Sequence, residues 1–290
     1  MKPRQPRPSL VLTALVAAGV GPAAVVLAGC GSGGDGAAPW VLVWADEFDG
    51  AAGAAPDPAR WNHEVGGDGW GNQELQFYTD GSENAALDGA GHLVITARRE
   101  DRGGRGFTSA RLTTQRKFEQ LYGRFEARLR LPPGRGMWPA FWMLGASGGG
   151  ETGGGDQSWP ARGEIDIVEA RGAQPWRVSG AVHGPGYSGG NALIAGYETA
   201  ERADLTADFH EFAVEWDPGE LRFYVDGNHY HTVRSSRLPT TGRWVFDHAF
   251  FLILNLAVGG NFGGPPDAST VFPQTLLADH VRIYRRDSGL

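Results

Sequence analysis

The stretch Gly-Glu-Ile-Asp-Ile-Val-Glu-Ala, from Gly163 to Ala170, constrains this chain more than any other. From Glu164 to Ile167 polar and apolar residues alternate, the period-2 signature of a β-strand. Residues i and i+2 share a face, so Glu164 and Asp166 point one way while Ile165 and Ile167 point into a core. Glu169 breaks the alternation, because in a regular strand it would join the isoleucines, and an unpaired carboxylate in a core is expensive. One extra residue near Ile167-Val168, a β-bulge, returns Glu169 to the acidic face.

Three acids on one face are a poor structural choice, since like charges repel and at least one pKa must rise. The same crowding is useful to catalysis, where one carboxyl stays protonated as an acid and another stays ionised as a nucleophile. Carboxyls roughly 5–5.5 Å apart suit a retaining glycosidase and roughly 6.5–9.5 Å an inverting one. Two glutamates leaning over a shorter aspartate reach the smaller gap. The plain alternative is the solvated charged face of an edge strand.

Elsewhere the chain is a series of short strands separated by Gly, Pro and Asp. His92–Arg98, Gly123–Leu131, Phe212–Trp216 and Leu221–Val225 alternate. Asp226-Gly227 then marks a tight turn. Leu221, Phe223 and Val225 face one way, and Arg222 and Tyr224 the other. Phe250–Leu256 is a continuous apolar run suited to a buried central strand. No long helical period, internal repeat or second domain is visible. The pattern predicts an all-β fold, an antiparallel β-sandwich. The low-complexity segment Gly145–Ser158 reads as a mobile loop at a cleft rim or as a neutral insertion.

At this point the chain resembles glycoside hydrolase family 16. Glu-Ile-Asp-Ile-Val-Glu matches the family's E-x-D-x-x-E signature in the bulged form typical of laminarinase-like β-1,3-glucanases. The resemblance runs from about Trp44 to Tyr284. It includes Trp70-Gly71-Asn72 with Glu74-Leu75-Gln76, Thr108 to Arg111, Tyr122 to Arg128, Trp138 to Leu144, Asn255 to Gly260, and Phe272-Pro273-Gln274. It implies a concanavalin A-like jelly roll with a concave substrate cleft, and a retaining endo-hydrolase of β-1,3-glucans. Glu164 would be the nucleophile, Glu169 the acid/base, and Asp166 the acid between them that tunes the nucleophile. Asn72 and Arg111 would contact sugar on the non-reducing side, with Arg111 equally readable as a buried structural arginine. Trp138, Trp142 and Trp159 would offer flat apolar faces to sugar rings or pack in the core. His183 would lie near the catalytic strand, as a substrate contact or a structural histidine. The resemblance also implies a structural calcium on Glu47, the Gly91 carbonyl and Asp279, oxygen ligands suited to a hard cation, and no cofactor for catalysis. Gln73 departs from the asparagine that the family often carries, which leaves the preferred glucan open. Mixed-linkage glucanases, galactan hydrolases and transglycosylases share the machinery. A non-catalytic glucan-binding protein is disfavoured by the three intact acids.

The first residues read as a targeting signal and not as part of the fold. Lys2, Arg4 and Arg7 precede an apolar run from Leu10 to Ala28, and Leu27-Ala28-Gly29-Cys30 looks like a bacterial lipobox. The expected division is a signal peptide over 1–29, a flexible Gly/Ala/Ser tether over 30–39, and a catalytic domain over 40–290. Cys30 is the only cysteine, which excludes an intrachain disulfide and fits a lipid attachment site. A protein held this way is anchored to a membrane, not spanning it, and is expected at the bacterial cell envelope, outside the cell. The net charge of −7, with scattered basic residues, argues against nucleic acid and is compatible with a neutral polymer substrate. A monomer is expected. His229 and His231 share a strand face but lack a third ligand for a metal.

Overall fold

The computed structural model describes residues 38–146 and 158–287, all within one compact unit. The signal, Cys30 and most of the glycine-rich segment lie outside the described residues. Strands are numbered here in chain order.

Two antiparallel sheets make the fold. The first runs β15 (Asn228–Arg234), β14 (Glu220–Val225), β13 (His210–Asp217), β8 (Gly123–Arg130), β17 (Gln274–Arg286), β5 (Leu93–Ala97) and β4 (Ala85–Leu87), with β1 (Trp40–Asp46) also paired to β17. The second runs β12 (Leu193–Glu198), β11 (Arg177–His183), β10 (Glu164–Ala170), β9 (Met137–Gly145), β16 (Phe250–Val258), β7 (Arg111–Thr113) and β2 (Asn62–His63). A short parallel pair joins β3 (Gln76–Tyr78) to β6 (Phe107–Ser109). The longest α-helix among the described residues is the single turn Gly260–Gly263.

Alternation explains the layering. In β14 Leu221, Phe223 and Val225 are buried while Arg222 and Tyr224 are only partly covered. Asp226 and Gly227 both take positive φ and close the next hairpin. Phe125, Trp216 and Ile283 of the first sheet meet Phe141, Ile165 and Leu252 of the second in one continuous core. Every residue of β16 is buried, because this central strand is covered on both faces. One face joins the core between the sheets. On the other, Phe251 and Ile253 form a small cluster with Ala146, Trp142 and Leu144.

Candidate active site

The bulge lies where the alternation demands it. On β9 the register jumps between Asp166, opposite Trp142, and Val168, opposite Phe141. On β11 two residues, Ile167 and Val168, face the single Gly180 gap between Ala181 and Ser179. Ile165, Ile167 and Val168 all sit in the core, and Glu169 emerges opposite Ala140 and Ser179. The strand is entered through Gly163 at φ +77°, where a Cβ would come within 2.8 Å of the Phe250 ring. A side chain is therefore excluded immediately before Glu164.

Glu164 and Glu169 line a groove of about 710 Å³ over this sheet, and Asp166 is buried between them at 4% exposure. Each outer acid is held by an indole. Trp159 Nε1 donates to Glu164 Oε2 at 3.1 Å, and Trp138 Nε1 donates to Glu169 Oε1 at 2.9 Å. His183 Nδ1 accepts from the Gly189 N–H at 3.1 Å, so the proton of the neutral ring sits on Nε2. That nitrogen lies 3.2 Å from Asp166 Oδ2 and 3.6 Å from Glu164 Oε1. Asp166 Oδ2 nevertheless has no partner with hydrogen-bonding geometry.

Burial pushes all three carboxyls up, to about 8 for each. For Glu164 and Glu169 the charge of Asp166 adds to the burial; His183 opposes it at both acids, as do the Trp159 and Trp138 hydrogen bonds at Glu164 and Glu169 respectively. Three acids this close titrate as a group. A glutamate in the unfolded chain ionises near 4.5. Between that pH and about 8, folding takes up protons, so the group favours the fold at low pH and loses that contribution as pH rises through 8. Glu169→Gln is therefore expected to stabilise the protein at pH 8 by ~1–3 kcal/mol and to change little at pH 4. Thermal melts across that range check it; an equal shift at both pH values would refute the linkage.

The remaining expected residues divide into two groups. Asn72, Arg111, Trp138, Trp142, Trp159 and His183 all line the groove. Trp159 is open, at 48% exposure, whereas Trp138 is nearly buried at 8%. Arg111 is both a lining residue and a structural one. It is ion-paired with Glu64 and lies between the Trp70 and Trp142 rings, 4.7 and 4.8 Å from their centroids. Trp142 in turn donates to Asn255 Oδ1 at 2.7 Å.

Glu47, Gly91 and Asp279 lie elsewhere. Both Glu47 oxygens are taken by Arg282 at 2.8 Å, and Asp279 Oδ2 by His280 at 2.9 Å and Arg128 at 3.3 Å. His229 Nε2 is engaged by Thr232 Oγ1 at 2.7 Å and joins no ligand cluster among the described residues. Gln73 is exposed at φ +57° and does not line the groove, so its departure from asparagine bears on the turn.

The sequence pattern gives little sign of the buried support beneath the groove wall. Asn255 Nδ2 donates to Tyr78 Oη, and Tyr78 and Gln76 both donate to Glu74 Oε2, at 3.0, 3.0 and 2.5 Å. Glu74 also holds the Asn72 side chain. The chain's only hint is a polar residue at every second position from Glu74 to Tyr78, where a core strand would be apolar.

The family described as glycosyl hydrolases family 16 matches residues 70–261, most of the chain and all of the groove's acids. The chain belongs to that family. A beta-glucanase of Rhodothermus marinus is 45% identical over 271 residues, covering 90% of this chain and 92% of its own. A glucan endo-1,3-beta-glucosidase of Cryptopygus antarcticus is 44% identical over 238 residues, covering 78% and 84%. The laminarinase catalytic domain of Thermotoga maritima MSB8 superposes with a TM-score of 0.78 at 47% identity, covering 86% of this chain and 99% of that one. This family 16 enzyme thus shares its all-β jelly roll with laminarinases along nearly the whole described fold.

Proposed function

We propose that this family 16 enzyme is an endo-acting glucanase that cleaves internal β-1,3 bonds of laminarin-like glucans with retention of configuration. The observation that carries the reading is the bulged strand, which delivers Glu164, Asp166 and Glu169 to one groove in surroundings that hold protons. The β-1,3 preference is drawn from the laminarinase and endo-1,3-beta-glucosidase relatives.

In this mechanism Glu164 attacks the anomeric carbon. The Trp159 N–H on Oε2 and the nearby His183 partly offset the burial that raises it, and the ionised form is the one that attacks. Glu169 has one oxygen held by Trp138 and the other available to protonate the glycosidic oxygen. The leaving sugar departs and a glycosyl ester remains on Glu164. Glu169, now ionised, takes a proton from water, which attacks the anomeric carbon, displaces the Glu164 carboxylate and restores the β configuration. Asp166 couples the two titrations through its charge. The residues of the site need no metal or organic cofactor for these steps.

Product analysis tests the reading. Residues 38–290 are incubated with laminarin, mixed-linkage glucan and agarose, following oligosaccharide size and new anomers by NMR. Short β-1,3 oligosaccharides released as the β anomer are expected. Cleavage of mixed-linkage glucan or agarose alone would overturn the substrate, and binding without turnover would overturn the activity.

A calcium ion on Glu47, Gly91 and Asp279 has oxygen donors of the right kind. As arranged, though, the set does not fit one, because Arg282, His280 and Arg128 already neutralise both carboxylates. Chelation with EDTA is expected to leave Tm unchanged; a fall of several degrees, reversed by calcium, would show that Arg282 yields its place.

The proposal extends to the amino terminus. Cys30 is read as the lipid-bearing first residue of a mature envelope lipoprotein, with residues 31–39 as its tether, on the strength of the Leu-Ala-Gly-Cys sequence after a basic and apolar leader. Cys30→Ser is expected to abolish labelling by radioactive palmitate in a bacterial host; retained label would sink the assignment.

A further inference from the structure

Beyond Glu169 the groove opens into a second, smaller pocket of about 150 Å³. Its lining includes Arg171, Gln174, Arg177, Ser179 and Ile194, with Glu169 at its inner edge. Glu169 and Ser179 are cross-strand neighbours, and Arg177 lies one face-position further along β11. The pocket is thus on the side of the acid/base opposite Asn72 and Arg111, across β11 and β12.

The polar groups here are mostly donors. Arg171 Nε gives one hydrogen bond to the Phe262 carbonyl at 2.9 Å, and its guanidinium lies 4.1 Å from the Phe262 ring. Among the described residues it has no carboxylate at ion-pair distance, and its charge favours the ionised form of the nearby Glu169. Arg177 lies over Gly196, where a Cβ would come within 2.8 Å of Nη2, and it is paired with Glu198 at 3.0 Å across an exposed surface. Ser179 Oγ, on a side chain nine-tenths buried, has no hydrogen-bond partner at all. With Glu169 protonated, two guanidiniums face one carboxylate, a local excess of positive charge on a protein of net charge −7. A neutral sugar brings as many donors as acceptors. A surplus of donors and of positive charge suits an acceptor-only group.

We infer that this pocket is a leaving-side subsite that accepts an anionic substituent, a sulfate ester or carboxylate, on the departing sugar that Glu169 protonates. The inference rests on the assignment of Glu169 as acid/base and names a substrate class for the same groove. Guanidinium-anion recognition at an exposed rim is worth roughly fivefold and weakens with salt.

The test compares kcat/KM on lightly sulfated, lightly carboxymethylated and unsubstituted laminarin at one low ionic strength. Arg177→Gln removes a positive charge, and Glu198→Gln frees one. The anionic-to-neutral ratio is expected to fall about fivefold in the first and rise by a similar factor in the second, with both effects shrinking as salt is added. A response with sulfate only, carboxylate only, or both assigns the group. A ratio that is the same in all three proteins, or that moves the same way in both variants, overturns the inference. Affinity of Glu164→Gln protein for the same polymers needs no turnover. If wild type fails to cleave unsubstituted laminarin, that measurement still judges the pocket while the β-1,3 reading falls.

Discussion

Glu164→Gln is expected to lose activity on laminarin by on the order of 10⁴-fold or more, with folding and glucan binding nearly intact. The amide keeps the shape of the carboxylate, and the Trp159 N–H that Glu164 accepts still finds an oxygen. What disappears is the carboxylate anion that, in the proposed mechanism, forms the glycosyl ester. The stereochemistry of rescue separates this residue from its partner. With Glu164→Gly and an activated β-glycoside, added azide has only one displacement available, so an α-glycosyl azide is expected. With Glu169→Ala the ester on Glu164 still forms, azide replaces water in the second displacement, and the product is the β-glycosyl azide. Swapped anomers would exchange the two roles, and near-normal activity of Glu164→Gln would remove it from the mechanism.

The largest effect on stability is expected far from the groove, at Arg124. This side chain is 15% exposed on the outer face of the first sheet, reaching Glu126 at 2.7 Å, Glu211 at 2.8 Å and Glu215 at 3.4 Å. Tyr284 adds a donor to Glu126 and Tyr224 one to Glu215. Glu126, Glu211 and His280 come close enough to suggest a metal cluster, but the guanidinium already joins the two carboxylates and supplies the positive charge. Arg124→Met leaves Glu126, 7% exposed, without its counterion. Removing one partner of such a set costs about 3–5 kcal/mol, and the lower end applies because Glu211 stays half open. Urea unfolding at pH 7 checks this. Adding Glu126→Gln should recover part of the loss; strict additivity of the two changes would show that they are not coupled.

Much of this fold follows from local patterning. Alternation in β5, β8, β13 and β14 and the Asp226-Gly227 turn were readable because each strand has one face in the core. So was the bulge, since the cost of burying Glu169 leaves the strand little choice. Strand order was not readable: β8 lies between β13 and β17, partners brought together from distant parts of the chain. The same limit hid Glu74, Tyr78 and Asn255, which meet across 181 residues, and the pairing of Trp138 and Trp159 with particular acids. Arg286 lies 3.9 Å from the Trp40 ring, a contact that no local pattern announces.

The bulge at Ile167-Val168 also sets a rule of parity for this groove. Along a strand every residue added or removed reverses inside and outside for all that follow, and this strand has already spent one such reversal to keep two acids on the same side. A single-residue insertion between Glu164 and Glu169 would call for a second irregularity to keep both acids in the groove, whereas loss of Ile167 or Val168 would set the two acids four residues apart, on one face of a plain strand that needs no bulge. The bulge is thus a removable turn of the strand, and the two acids can share the groove with it or, one residue shorter, without it.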